Sequence, residues 1–397
     1  MSLFSRKPKR IFLDYASSTP IDKDVSSKMD EYNSKGFANP SALYMEAISA
    51  KEVLNSSREK IASILNCRKN EIIFTSGGTE GNNLALLGLF EKYKKKDFIP
   101  HIITSNIEHP AILEVCKEIE KRGGKVTRVS VSEEGLVNPK DILNAITEET
   151  ILVTIMYANN EIGTIQRVRE IGKIIKEWRE NHSGKNSKLP YFHTDACQAG
   201  LYLNLDVSNL GVDLLTLDGL KIHGPRGAGI LYVKNTVEID PVHFGGGQEG
   251  GLRSGTENVS ASLGMSLALE IADKLRQKES ERLTLIRDYG IQSILEAFPK
   301  ALLNGSKNSR LPNNINICFP ELDAEFAVIS LDLLGFASSY SSSCLTLKED
   351  SSSYVIAALK ERGKDNCRNS SLRFTLGRET TKSDINYLIR ALKKVVK

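Results

Sequence analysis

Tyr191-Phe-His-Thr-Asp-Ala-Cys-Gln198 reads as a short buried strand that breaks into polar residues at its carboxyl end. The layout recurs in both directions. Upstream lie Glu71-Ile-Ile-Phe-Thr75, His101-Ile-Ile-Thr-Ser105 and Ile151-Leu-Val-Thr-Ile-Met156; downstream lie Leu214-Leu-Thr-Leu217 and Gly229-Ile-Leu-Tyr-Val233. Between these runs the periodicity predicts helices over 111–121, 139–146 and 168–180. Strands alternating with helices imply parallel crossovers and a sheet covered on both faces. The expected class is α/β, with a mostly parallel sheet, and ligands of such sheets sit beyond the carboxyl ends of the strands.

Past a glycine-rich segment at 236–257, a long helical pattern covers about 260–298. A strand at 314–319, a helix over 325–334, a serine-rich segment at 338–353 and a helix from Lys382 follow. This reads as a smaller α+β unit. The expected division is a large domain over 16–260 and a small C-terminal domain over 261–397, joined by 1–15.

Composition narrows the function. The 397 residues are 40% hydrophobic and 26% charged, close to the globular average, which excludes a disordered chain or a disulfide scaffold. Lys and Arg exceed Asp and Glu by 53 to 49, a net charge of +4. That is too mild to make nucleic acid the main partner. No apolar stretch reaches the roughly 20 residues that span a bilayer, and no apolar core follows the basic N-terminal residues as in a signal peptide. Six scattered cysteines without a C-x-x-C pair predict reduced thiols, a cytoplasmic location and no cysteine zinc site. No metal site is expected.

Polar residues gather just after the predicted strands. Thr75-Ser-Gly-Gly-Thr-Glu-Gly-Asn-Asn83 follows one strand and opens a helix, where exposed N–H groups and the helix dipole suit a phosphate. Gly78 and Thr79 stand in that turn. His109 follows a second strand, and Asn159-Asn160 a third. Asp195 and Gln198 end a fourth, where a carboxylate can keep a ring nitrogen protonated and an amide can hold a neighbouring oxygen. Lys221, in Asp218-Gly-Leu-Lys-Ile-His-Gly-Pro225, sits in a glycine-bounded turn that suits a desolvated imine-forming lysine. Gly224-x-x-Gly227-x-Gly229 imitates a dinucleotide loop but precedes a strand, so that fingerprint fails. Each residue alone also reads as an ordinary turn, cap or surface group. Together, in this order, they supply the parts that pyridoxal phosphate needs: a phosphate site, a ring stack, an oxygen partner, a ring-nitrogen acid and an imine lysine.

From Phe12-Leu-Asp-Tyr15 to Arg373-Phe-Thr-Leu-Gly-Arg378 the chain resembles the cysteine desulfurases of the class V aminotransferase group. Asn39-Pro-Ser41, Ser76-Gly-Gly-Thr-Glu80, Glu108-His109, Asn159-Asn-Glu-Ile-Gly163, Asp195-Ala-Cys-Gln198, Lys221-Ile-His-Gly-Pro225 and Arg253-Ser-Gly-Thr256 carry the resemblance. It implies the type I fold of pyridoxal-phosphate transferases, with a seven-stranded sheet. It implies that Lys221 forms the cofactor imine and moves protons, and that His109 stacks on the ring and aids acid–base steps. Asp195 would pair with the ring N–H, Asn160 and Gln198 would hold the phenolic oxygen, and Gly78 and Thr79 would cradle the phosphate. Thr256 would reach the neighbouring subunit's phosphate, implying a homodimer. Arg373, helped by Asn39, would clamp the substrate carboxylate.

Cys344 lies where the family places its nucleophile, and eight serines among the sixteen residues 338–353 read as a mobile loop. Cys197 reads as a buried packing residue. The implied activity converts L-cysteine to L-alanine and a persulfide on Cys344, for delivery to an acceptor protein in iron–sulfur assembly or tRNA thiolation. A selenocysteine lyase or cysteine-sulfinate desulfinase shares these parts, and a non-catalytic dimeric scaffold is the alternative of another class. The family usually has Ser-x-His before the lysine, both bonding the phosphate, whereas this chain has Asp218 and Leu220. Asp218 is expected to turn away from a phosphate or to bond a donor instead.

Overall fold

The computed structural model describes residues 9–182, 188–340, 352–359 and 367–396. The strands in chain order are β1 (Ile11–Phe12), β2 (Ile72–Thr75), β3 (His101–Ser105), β4 (Lys125–Val129), β5 (Thr150–Thr154), β6 (Tyr191–Asp195), β7 (Leu214–Asp218), β8 (Gly229–Val233), β9 (Leu302–Leu303), β10 (Asn314–Cys318), β11 (Phe336–Ala337) and β12 (Ser371–Thr375). The helices are α1 (Lys23–Asn33), α2 (Met45–Leu65), α3 (Gly78–Tyr93), α4 (Pro110–Lys121), α5 (Pro139–Ala145), α6 (Val168–Asn181), α7 (Val207–Leu210), α8 (Val259–Ala297), α9 (Ala324–Leu333), α10 (Tyr354–Ala358) and α11 (Lys382–Val395).

Seven strands form one sheet in the order β2-β8-β7-β6-β5-β3-β4. It is parallel except for β8, which runs against both β2 and β7. The predicted parallel sheet is therefore mixed at one edge. Alternate residues feed opposite cores, as period-two strands require. Phe74, Val153, Phe192 and Leu215 face the layer that includes Ile61 and Leu65 of α2, whereas Ile73, Leu152, Tyr191 and Leu214 face the layer of α3 and α4. Burial on both faces explains why these strands read as continuous apolar runs. α3 buries Leu84, Ala85, Leu86, Leu87, Leu89 and Phe90, so it is apolar nearly all round and carries no amphipathic signature.

α8 has 39 residues and so runs about 58 Å at 1.5 Å per residue. Its first half packs with the α2 layer through Val259, Met265 and Leu269. Its second half brings Leu283, Ile291 and Ile294 into a separate core with Ile315, Ile317, Phe374 and Leu388. That core lies under the antiparallel sheet β12-β10-β9. Residues before β2 join both regions: β1 pairs in parallel with β11, while α1 and α2 pack on α8.

Two cysteines depart from the all-thiol expectation. Cys318 ends β10 and Cys367 precedes β12, and the pairing of those strands brings their Cα atoms to 5.3 Å, where they form a disulfide. Cysteine spacing along the chain could not register a pair made by strand register across 49 residues. Among the described residues no helix is long and apolar enough to cross a membrane.

Candidate active site

One cavity lies beyond the carboxyl ends of β2, β3, β5, β6 and β7 and gathers residues remote in sequence. His109, Asn160, Asp195, Gln198, Lys221 and Arg373 all line it, with Gly78 and Thr79 at one end. Most arrive at strand-to-loop exits, Asp195 and Gln198 sharing that of β6, whereas Arg373 comes from within β12.

At the first exit Gly77 and Gly78 open α3. Gly77 has φ +150, and a Cβ on Gly78 would stand 2.6 Å from the Cys197 sulfur. Only glycines allow the helix start to come this close to the strands beside it. Gly78 and Thr79 in the first turn of α3 line the cavity end, where a helix start suits a phosphate.

Beyond β3, His109 is the N-cap of α4, with Pro110 as the first helical residue. Its Nδ1 accepts from the Ala111 N–H at 3.1 Å, which fixes the ring's orientation at the cavity wall. Glu108, fully buried behind it, accepts from the Met156 N–H and from the Ser105 hydroxyl. Burial pushes its carboxyl up to about 8, and the Asp195 charge adds to the shift.

Asp195 ends β6. Its Oδ2 accepts from the Asn82 amide at 2.7 Å and its Oδ1 from the Cys197 N–H at 3.0 Å, which hold the carboxylate in one orientation. Gln198 donates to the Ala16 carbonyl at 2.9 Å. The Cys197 thiol lines the cavity rather than a packed core. Burial, then Asp195 and Asp218, push it well above an ordinary thiol, so it stays protonated and is a poor nucleophile.

Lys221 closes the short turn after β7. Its ammonium donates to the carbonyls of Ala16 at 3.0 Å and Ser17 at 2.5 Å, so the N-terminal segment positions it. Asp218 takes the second of its two expected courses and bonds donors: its carboxylate accepts from the N–H groups of Leu220 and Gly78, at 2.9 and 3.0 Å. Arg373, 2% exposed on β12, donates to the Asn160 carbonyl at 3.0 Å and to Asp14 at 2.8 Å. Its Nε has no hydrogen-bond partner among the described residues.

Two predicted residues stay apart from this cavity. Asn39 is exposed, its side chain accepting from the Ser41 N–H, and Thr256 is exposed in the glycine-rich segment. Cys344 lies outside the described residues. Two contributors escaped sequence reasoning. Asn82, which orients Asp195, lies within the quoted Thr75–Asn83 turn as an unremarked amide. Asp14, which pairs with Arg373, lies within Phe12-Leu-Asp-Tyr15, where an acid after a short apolar run gives no sign of its partner.

Residues 11–388 match the family described as Aminotransferase class-V. A cysteine desulfurase IscS of Dictyoglomus turgidum is 40% identical over 388 residues, covering 98% of this chain and 95% of that protein. Another, from Methanosarcina thermophila, is 38% identical over 392 residues, covering 99% and 93%. Among solved structures, a NifS-like protein superposes with a TM-score of 0.88 at 30% identity, covering 97% of this chain and 99% of that one. SspA in complex with cysteine gives 0.78 at 32% identity, covering 92% and 98%. The chain belongs to the class-V aminotransferases, a family of pyridoxal-phosphate enzymes, and within it to the cysteine desulfurases.

Proposed function

We propose that the chain takes sulfur from L-cysteine, leaving L-alanine and a persulfide on Cys344, with pyridoxal phosphate held in the cavity described above. The observation that carries this reading is the convergence of Lys221, Asp195, His109 and Arg373 on one cavity. The imine lysine, the ring-nitrogen acid and the ring stack fit the pyridoxal end of the cofactor. The glycine turn fits a phosphate in shape, although Asp218 holds the Gly78 donor. When bound, the cofactor supplies an electron sink for the pair left behind when the substrate Cα–H bond breaks.

The protein's own residues then divide the work. Lys221 takes the α-proton and returns it, and the Ala16 and Ser17 carbonyls aim its nitrogen. Asp195, oriented by Asn82, faces the ring nitrogen, while Gln198 and Asn160 serve the phenolic oxygen. Arg373 meets the substrate carboxylate with its guanidinium fork, while Asn39, apart from this cavity, takes no part in it. His109 stacks on the ring and shares proton transfer. The Cys344 thiolate attacks the substrate sulfur as its bond to Cβ breaks; the pair left on Cβ takes a proton to give the methyl group of alanine, and the sulfur stays on Cys344 as a persulfide.

Chain reach supports the role of Cys344. Ser339 is bonded to the Arg373 backbone, and Cys344 lies five positions further along, a span of at most about 17 Å. On the far side Ser353 bonds the Glu161 carboxylate at 2.6 Å, and the Tyr354 hydroxyl bonds the Glu108 carbonyl at 2.6 Å. One flank of the segment carrying Cys344 is thus tied to Arg373, and the other to the loops that carry Asn160 and His109.

The active unit in this reading is a homodimer in which Thr256 reaches the neighbouring phosphate. Phe37, Leu43, Tyr44 and Met45, close together in sequence, leave large apolar side chains exposed, as a subunit interface does. The two units divide near residue 260, the enzyme works in the cytoplasm, and an acceptor protein takes the sulfur for iron–sulfur assembly or tRNA thiolation. Sedimentation of the full chain tests the dimer, and a Cys344→Ser variant tests the chemistry. Loss of turnover on cysteine with undiminished turnover on selenocysteine would instead mark a selenocysteine lyase.

A further inference from the structure

The phosphate end of the cavity already contains an anion belonging to the protein. Asp218 leaves the end of β7 and caps the turn that carries Lys221. One carboxylate oxygen accepts from Leu220 N at 2.9 Å, which ties the side chain to its own turn. The other accepts from Gly78 N at 3.0 Å, in the first turn of α3. The backbone is pressed close at this point: a Cβ on Gly77 would stand 3.2 Å from that oxygen. A carboxylate here meets the same N–H donor and the same positive helix end that a phosphate uses.

We propose that Asp218 is a resident anion of the phosphate subsite, and that it makes this chain discriminate only weakly between pyridoxal phosphate and unphosphorylated pyridoxal. The inference rests on the pyridoxal-phosphate reading above and deepens it. A phosphate entering the cradle must either displace Asp218 from Gly78 or bind beside it using Thr79 and the remaining donors. The first route breaks a hydrogen bond that holds the carboxylate. The second sets two like charges against one helix end, where they repel. Leu220 offers no side-chain hydrogen bond in compensation. The ring end is separate: Asp195, His109 and Lys221 are held by Asn82, Ala111 and the Ala16 and Ser17 carbonyls, none of which involves Asp218. The penalty therefore falls on the phosphate and leaves the ring alone.

The test compares equilibrium binding of pyridoxal phosphate and of pyridoxal to the full chain, followed by visible imine absorbance and by dialysis. Asp218→Ser keeps a side chain able to cap the turn and replaces the charge with a hydroxyl. Asp218→Asn keeps the shape and removes the charge. Both should raise the affinity ratio of the phosphorylated over the unphosphorylated compound about tenfold or more, through the phosphorylated compound alone. An unchanged ratio, or weaker binding of pyridoxal phosphate in both variants, overturns the proposal and identifies Asp218 as a structural cap. If neither compound forms the Lys221 imine in any of the three proteins, the cofactor reading fails and takes this inference with it. The two failures are thus told apart by whether pyridoxal binds at all.

Discussion

Ser339 and Arg373 exchange a pair of backbone hydrogen bonds, at 3.2 and 2.6 Å. The residue assigned to the substrate carboxylate is thereby fastened to the chain five positions ahead of Cys344. In the proposed function, carboxylate recognition and sulfur attack therefore rest on two backbone segments paired to each other, so errors in one should disturb the other.

Arg373 should tolerate even a lysine poorly. The guanidinium reaches the Asn160 carbonyl and Asp14 together and keeps an Nε without a partner among the described residues, a geometry that an ammonium cannot reproduce. Steady-state kinetics of Arg373→Lys on cysteine should show kcat/KM lower by about 30-fold or more, from a loss of ~2 kcal/mol, chiefly in KM. Wild-type KM in a folded variant would remove Arg373 from substrate binding.

Lys221→Ala should lose the imine absorbance and the release of alanine together, because one nitrogen serves both. Thermal melting of the variant should remain close to that of the parent, since its two bonds to Ala16 and Ser17 are part-buried loop contacts. Full turnover in this variant is the contrary result.

Much of this site was legible because strands that are buried on both faces read as apolar runs, and functional residues cluster at their ends. His109, Asp195 and Lys221 each stand directly after such a run. β4 escaped notice because it is an edge strand whose residues run from exposed Lys125 to buried Val129, without an apolar block. The antiparallel β8 is local in sequence but not in direction, and nothing in Gly229-Ile-Leu-Tyr-Val233 records which way it runs. Asp14 and Asn82 act through partners 359 and 113 residues away, and such pairings exist only once the fold is made.

Two buried histidines should cost stability in mild acid, while Glu108, its carboxyl raised to about 8 by burial, pulls the other way as pH falls. His193 lies wholly buried on β6 between the hydroxyls of Thr154 and Thr216, and burial pushes it down to about 4. His101, also lowered to about 4 mainly by burial, acts in the same direction. The unfolded chain protonates these rings near 6.5 and the folded chain does not, so their share of folding stability drops as pH falls from about 6.5 to about 4. Each ring contributes up to roughly 3 kcal/mol across that window. Urea midpoints at pH 7 and pH 5 report the balance of these groups, and His193→Gln should remove one ring's share, so that the variant loses less stability than the parent between the two pH values. An unchanged slope in that variant would contradict the assignment.

The Cys318–Cys367 bridge closes a loop that contains Cys344 and the residues flanking it. A cross-link across 49 residues stabilises by restricting the unfolded chain, by about 2–4 kcal/mol. Cys318→Ser should lower the denaturant midpoint accordingly, and a reducing agent should do the same to the parent but not to the variant. Equal midpoints for parent and variant, with or without reductant, would contradict the bridge.

The central claim is that Cys344 accepts the sulfur of cysteine in a site built on Lys221, Asp195 and Arg373. The most direct measurement is mass analysis of the Cys344 peptide after incubation of the full chain with L-cysteine, alongside assay of alanine. The account predicts one added sulfur on Cys344, alanine released in step with it, and neither product from Cys344→Ser, which should still hold the cofactor. Wild-type alanine release from Cys344→Ser, or added sulfur appearing on Cys197 instead, would contradict it.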